Sequence, residues 1–154
     1  MTSPPRKPLS RHGSVPLGRI LAIDYGRRRI GLALSDELRL TAQPLATLER
    51  TNRRNDLRRL REIARKNAVR AIVVGHPIHL DGSAGEMAEE AERFAARLRK
   101  ELGLPVELMD ERLSSWEAGQ IVAKPAASKK KSSLDHIAAA VILRDYLERL
   151  RASA

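Results

Sequence analysis

Residues Arg19–Asp36 read RILAIDYGRRRIGLALSD. Arg19–Ile23 is an apolar run with strand character, and it ends on an acid, Asp24. Tyr25-Gly26 reads as a turn, followed by Arg27, Arg28 and Arg29. A second apolar run, Ile30–Leu34, closes on Ser35-Asp36. Two apolar runs separated by a glycine-containing turn predict a β-hairpin. Its first strand carries a carboxylate at the tip, with guanidinium groups beside it.

The segments that follow extend this hairpin into a sheet. Ala42–Leu48 (AQPLATL) reads as a third strand, and Pro44 assigns it to an edge, because proline has no N–H for a ladder. Asn55–Lys66 has Leu57, Leu60, Ile63 and Ala64 at helical spacing. Its other face is basic, with Arg53, Arg54, Arg58, Arg59, Arg61, Arg65 and Lys66, and reads equally as a nucleic-acid track and as a solvated helix face. Arg70–Gly75 (RAIVVG) is continuously apolar, as in a strand covered on both faces. His76–Gly85 (HPIHLDGSAG) is rich in turn residues. Glu86–Leu102 repeats Met87, Ala91, Phe94, Leu98 and Leu102 along one face and stops at Gly103. Pro105–Met109 is a fifth short strand leading into Asp110-Glu111-Arg112. Ser114 and Glu117 form a capping-box pattern for a helix to about Ala123. Lys124–Lys131 is a basic loop, and Ser133–Leu150 is the last helix.

The order β-β-β-α-β-α-β-α-α predicts an α/β fold. Three consecutive strands form an antiparallel meander, and the alternating part adds parallel crossovers. The product is a mixed five-stranded sheet flanked by helices. Residues 1–17 are Pro- and Ser-rich, basic and without periodicity, and are expected to be disordered. Residues 18–150 form a single domain in this reading, with 151–154 as a short tail.

Composition narrows the partners. The chain of 154 residues carries 29 Lys+Arg against 19 Asp+Glu, a formal charge of +10. Such an excess favours nucleic acid over other partners. Aromatic residues are only 3%, so contacts to the phosphate backbone are expected to outweigh base stacking. Cysteine is absent, which excludes a disulfide framework and a thiolate metal site. No apolar run reaches the length of about 18 residues that suggests a membrane span, and no signal-peptide pattern precedes Gly18. A cytoplasmic location without membrane association is expected.

The acids fall at telling places. Asp24 ends the first strand, Asp110 and Glu111 end the fifth, and Asp135 lies in the first turn of the last helix. In a sheet with parallel crossovers, ligand sites form where the parallel strands end. Carboxylates gathered there repel one another unless a cation intervenes, and oxygen-only ligands suit Mg²⁺ or Mn²⁺. Two such ions about 3.5–4 Å apart support phosphodiester hydrolysis. Each acid also has an ordinary reading. Asp135 in Ser132-x-x-Asp135 suits a helix N-terminus, Asp110 and Glu111 suit pairing with Arg112, and Asp24 before glycine suits a turn. His76, His79 and Asp81 read as loop residues rather than a metal site. No side chain reads as a nucleophile.

Four blocks carry a family resemblance: Asp24–Asp36 (DYGRRRIGLALSD), Val73–Gly82 (VVGHPIHLDG), Asp110–Ala118 (DERLSSWEA) and Leu134–Leu143 (LDHIAAAVIL). Together, in this order, they resemble the YqgF (RuvX) family of ribonuclease H-like proteins. That family is described both as pre-16S rRNA nucleases and as Holliday junction resolvases. His79 stands where relatives often have Asn, and Ser114-Ser115 replaces a usual Thr-Thr or Ser-Thr pair. The first block alone also resembles the phosphate loop of actin-like ATPases, but a chain of this length has no second half to complete such a site.

The resemblance implies a ribonuclease H-like fold and a metal-dependent nuclease acting in ribosome biogenesis. It implies Asp24, Glu111 and Asp135 as catalytic metal ligands for Mg²⁺ or Mn²⁺, with Asp110 as the alternative to Glu111. Glu111 is preferred because neighbours on a strand point oppositely. Arg27, Arg28, Arg29, Arg112, Lys129, Lys130 and Lys131 are the candidate phosphate contacts. The favoured substrate is an RNA precursor, the 5′ end of pre-16S rRNA. The alternatives are a branched DNA junction, with recombination as the process, and a nucleic-acid-binding module without catalysis. Monomer and homodimer both fit.

Overall fold

The computed structural model describes residues 18–77, 85–110 and 131–153. The chain runs β1 (Arg19–Tyr25), β2 (Arg29–Ser35), β3 (Ala42–Glu49), α1 (Arg53–Lys66), β4 (Val69–His76), α2 (Glu86–Leu102), β5 (Val106–Asp110) and α3 (Lys131–Ser153). The expected helix after Ser114 and the basic loop before Lys131 lie outside the described residues.

The strands form one five-stranded sheet in the order β3-β2-β1-β4-β5. β1, β2 and β3 pair antiparallel, while β4 joins β1, and β5 joins β4, in parallel. This is the expected mixed sheet. β3 is the edge strand that Pro44 predicts. The β2–β3 register shifts between Leu32 and Ala33, opposite Pro44, where the ladder has no proline N–H to use.

Strand alternation divides the core in two. Leu21, Ile23, Ile72 and Val74 point to one face and meet Leu57 and Leu60 of α1 and Phe94 and Leu98 of α2. Ile20, Ala22, Ala33, Ala71 and Val73 point to the other and meet Ala139, Ile142, Leu143 and Leu147 of α3. The central strands are apolar on both faces because helices cover both. The second face is built largely from alanine, and that allows α3 to lie close against the sheet.

Local signals set the helix ends. The Asn52 side chain accepts a hydrogen bond from the Asn55 N–H at 2.9 Å and caps α1, which begins at Arg53, two residues before the expected start. Gly103 ends α2 with φ of 68°, a left-handed conformation that glycine adopts without strain. Among the described residues, no helix is long and apolar enough to cross a membrane.

Two expectations are corrected near Asp24. β1 continues through Asp24 to Tyr25, which pairs with Ile30, so the turn is confined to residues 26–28. Arg29 belongs to β2 rather than to the turn. Cross-strand pairing of Tyr25, and its ring contact with Phe94 at 4.7 Å between centroids, favour the longer strand. At the other end of the chain, α3 begins at Lys131, so Asp135 lies beyond its first turn and is not a cap.

Candidate functional site

The parallel strands β1, β4 and β5 end along one edge, and Asp24 sits there as the penultimate residue of β1. Its position on a face follows from register. Asp24 lies directly opposite Gly31 of β2, and Gly31 lies opposite Thr47 of β3. Residues directly opposite in an antiparallel ladder project to the same face. A β-carbon on Gly31 would collide with the backbone carbonyl of Asp135 and the N–H of His136. That face is therefore the α3 face, and the missing side chain at Gly31 is what lets α3 settle beside Asp24.

Neighbouring contacts pin the same part of α3. Arg29 Nε donates to Asp135 Oδ2 at 2.9 Å, with both side chains mostly buried. Thr47 Oγ1 and His136 Nδ1 are 2.9 Å apart. The Gly31–Thr47 row thus holds α3 at two adjacent residues, His136 through Thr47 and the Asp135 backbone against Gly31, while Arg29, two residues earlier on β2, binds the Asp135 carboxylate. Sequence reading missed Gly31 and Thr47 in this role. The only available signal was a glycine within an otherwise apolar strand, a mark of close backbone approach.

Asp110 belongs to the other side. Met109 is buried in the α3-side cluster and Leu108 packs on the α1/α2 side. Alternation then gives Asp110 to the face of Leu108, opposite to Asp24. Glu111, Arg112, Lys129 and Lys130 lie outside the described residues, and Lys131 is the first residue of α3.

The arginines of the hairpin differ in surroundings. Arg27 bridges Glu86 at 3.1 Å and Glu90 at 2.8 Å, docking the β1–β2 turn onto the start of α2. The Arg27 guanidinium holds the Glu90 carboxyl below its usual range. Arg28 is exposed at the tip of the turn. His76 ends β4, and its Nε2 lies 2.7 Å from Glu92 Oε2; His79 and Asp81 are outside the described residues.

A charge cluster that sequence reading did not anticipate lies on the α1 side. The fully buried Asp56 carboxylate receives Arg50 at 3.1 Å, Arg59 at 2.8 Å and the Thr51 N–H at 3.1 Å. Arg59, read from sequence as part of the basic face of this helix, is instead its partner.

Residues 18–149 match the model of the RuvX family, described as Holliday junction resolvase. The chain belongs to the RuvX family. A protein of Koribacter versatilis named as a candidate pre-16S rRNA nuclease is 48% identical over 134 residues, which span 86% of this chain and 88% of that one. A protein of Geobacillus kaustophilus with the same name is 47% identical over 137 residues, 86% of this chain and 99% of that one. Among solved structures, RuvC of T. thermophilus in complex with Holliday junction substrate superposes with a TM-score of 0.54 at 16% identity, covering 89% of this chain and 98% of that one. This likeness concerns the fold, and the sheet order found here is ribonuclease H-like. In RuvX terms, the Asp24–Asp36 and Leu134–Leu143 blocks are the two segments that Gly31 brings into contact.

Proposed function

We propose that this protein is a metal-dependent endonuclease that hydrolyses phosphodiester bonds in structured nucleic acid, with the 5′ end of pre-16S rRNA as its substrate. One observation carries the reading. Asp24 and Asp135 share one face at the edge where the parallel strands end, because Gly31 leaves room for the Asp135 backbone opposite Asp24. Membership in RuvX, and the names of its relatives, point the chemistry toward nucleic acid.

The donor set fits a hard divalent cation. Two carboxylates on one face match the sparse protein coordination of Mg²⁺, which typically keeps water and phosphate as further ligands. Asp24 and Asp135 would hold Mg²⁺ or Mn²⁺. Glu111 would be the third ligand, since the alternation of β5 turns Asp110 to the opposite face. A cation held there supplies charge neutralisation for the phosphate and Lewis-acid activation of water. Arg29 binds Oδ2 of Asp135, orients the carboxylate and leaves Oδ1 for the cation. Arg28, exposed on the turn beside Asp24, is the hairpin's phosphate contact; Arg112 and Lys129–Lys131 are further candidates.

The test is a cleavage panel. Pre-16S rRNA carrying its 5′ extension, a four-way DNA junction and unstructured strands are each incubated with Mg²⁺, Mn²⁺ or chelator. Cleavage of the precursor RNA is expected with metal and not with chelator, and is expected to vanish in Asp24→Asn and in Asp135→Asn. Undiminished cleavage by the doubly substituted protein would refute the assignment. Preference for the four-way junction would transfer the substrate to branched DNA while keeping the site.

A further inference from the structure

On the face of the sheet opposite to α3, α1 and α2 leave a surface groove. It has two adjoining parts, of about 220 Å³ and about 290 Å³. Arg53 and Arg97 border both parts. Tyr25 and Phe94 line the first, together with Arg93. Arg54 and Lys100 line the second.

Arg50 also lines the first part, and its charge is taken up by Asp56. Arg53, Arg54, Arg93, Arg97 and Lys100 are exposed, and none has such a partner among the described residues. Two acids reach the lining. Glu90, in the first part, is engaged by Arg27, and Glu101 lines the second. Like charges gathered in a concavity repel one another and concentrate positive potential there. A polyanion that follows the groove would relieve this and release its counterions. Two adjoining concavities that share Arg53 and Arg97 suit a chain of phosphates better than a single small anion.

The groove also adjoins the carboxylate site. Tyr25 follows Asp24, and alternation along β1 turns Asp24 to the α3 face and Tyr25 to the groove. The end of β1 is common to both.

We propose that the α1–α2 groove is a second phosphate-binding track, which holds the sugar–phosphate backbone of a nucleic-acid strand on the face of the sheet away from Asp24 and Asp135. The identity of that strand as the substrate rests on the nuclease reading; its binding does not. The track gives the enzyme a hold on nucleic acid remote from the scissile bond, and so a preference for substrates long enough to cross the end of β1.

Binding is measured by fluorescence anisotropy with labelled single-stranded RNA, and with DNA of the same sequence, in chelator across a salt series. The full chain is compared with Arg53→Gln/Arg97→Gln and with Arg149→Gln/Arg151→Gln, which removes equal charge from exposed positions near the end of α3. The groove variant is expected to bind about tenfold more weakly, with the log–log salt slope reduced by about 1.4, or about 0.7 for each lost contact to a single strand. The α3 variant is expected to change little. Equal weakening by both variants, or no weakening by the groove variant, overturns the proposal. Melting curves verify folding, and protection of Lys100 from acetylation by bound RNA in the unsubstituted protein is an independent readout; absence of protection also counts against the track. Cleavage plays no part in these measurements, so binding without metal-dependent turnover would refute the nuclease reading and leave the groove standing.

Discussion

Gly31 and Asp135, more than a hundred residues apart in the chain, are in such close contact that a β-carbon on the one would overlap the carbonyl of the other. The atoms in conflict are backbone atoms in a strand and a helix, so no side-chain rotation relieves them. Gly31→Ala is expected to push α3 off the sheet, costing about 1–3 kcal/mol or more by overpacking. Denaturant unfolding measures the stability loss. The same displacement carries Asp135 away from Asp24, so cleavage is expected to fall more than binding does. An alanine variant with unchanged stability and turnover would remove Gly31 as the seat of α3.

Arg29 acts through Asp135. Arg29→Gln is expected to lower turnover about 10–100-fold, the usual effect of losing a partner that orients a metal ligand. The Mg²⁺ concentration for half-maximal cleavage is expected to rise, while KM for nucleic acid moves little. A metal titration of cleavage separates this from loss of a phosphate contact, which would raise KM and leave the metal dependence alone. Arg29→Lys, which retains the charge, is expected to recover part of the activity.

Asp56 ties stability to acid pH. Burial pushes its carboxyl upward, but the Thr51 N–H, Arg59 and Arg50 outweigh burial and hold it below the usual range. A depressed carboxyl contributes stability above its unfolded pKa of about 3.9, and loses it as pH falls through the folded value. Asp56→Asn is therefore expected to be less stable than the parent at pH 7, by about 2–4 kcal/mol, since two guanidinium groups lose their counterion. The gap between the two proteins is expected to narrow as pH falls below about 4. Urea unfolding at several pH values checks both the sign and the window.

Tyr146 gives the opposite dependence. Burial, and then the neighbouring Glu107 carboxylate, push its phenol well above the usual range. A raised phenol contributes stability below its unfolded pKa of about 10, and that contribution is lost as pH rises toward the folded value. Ultraviolet titration is expected to show a phenol that resists ionisation until the protein unfolds. Tyr146→Phe is expected to abolish that late phase; its persistence in the variant would assign it elsewhere.

Much of the architecture was legible without coordinates. Continuous apolar runs marked β1, β2 and β4, because strands covered on both faces have no polar positions to spare. Pro44 marked the edge strand, and Gly103 marked the end of α2. These are local signals, written in the residues that respond to them. The boundaries near Asp24 were less legible, since Tyr25 and Arg29 stay in their strands through cross-strand and helix contacts that the hairpin's composition does not record.

Other features arose only from packing. Arginines along α1 looked alike in sequence, yet Arg59 turns inward to Asp56 while Arg53 and Arg54 border an open groove. Asp110 stands beside Glu111 in sequence, yet strand alternation separates it from the face of Asp24.

The sequence by itself determined the strands, the three described helices, the strongly basic balance and the hairpin that carries Asp24, since each depends on residues close together in the chain. Tertiary structure alone decided that Asp24 and Asp135 share one face, and that Arg29 rather than a cap holds Asp135. The physical reason is that facing is set by pairing register and by how closely a helix can approach a sheet. Both depend on residues far apart in the chain, here on Gly31, whose missing side chain α3 fills.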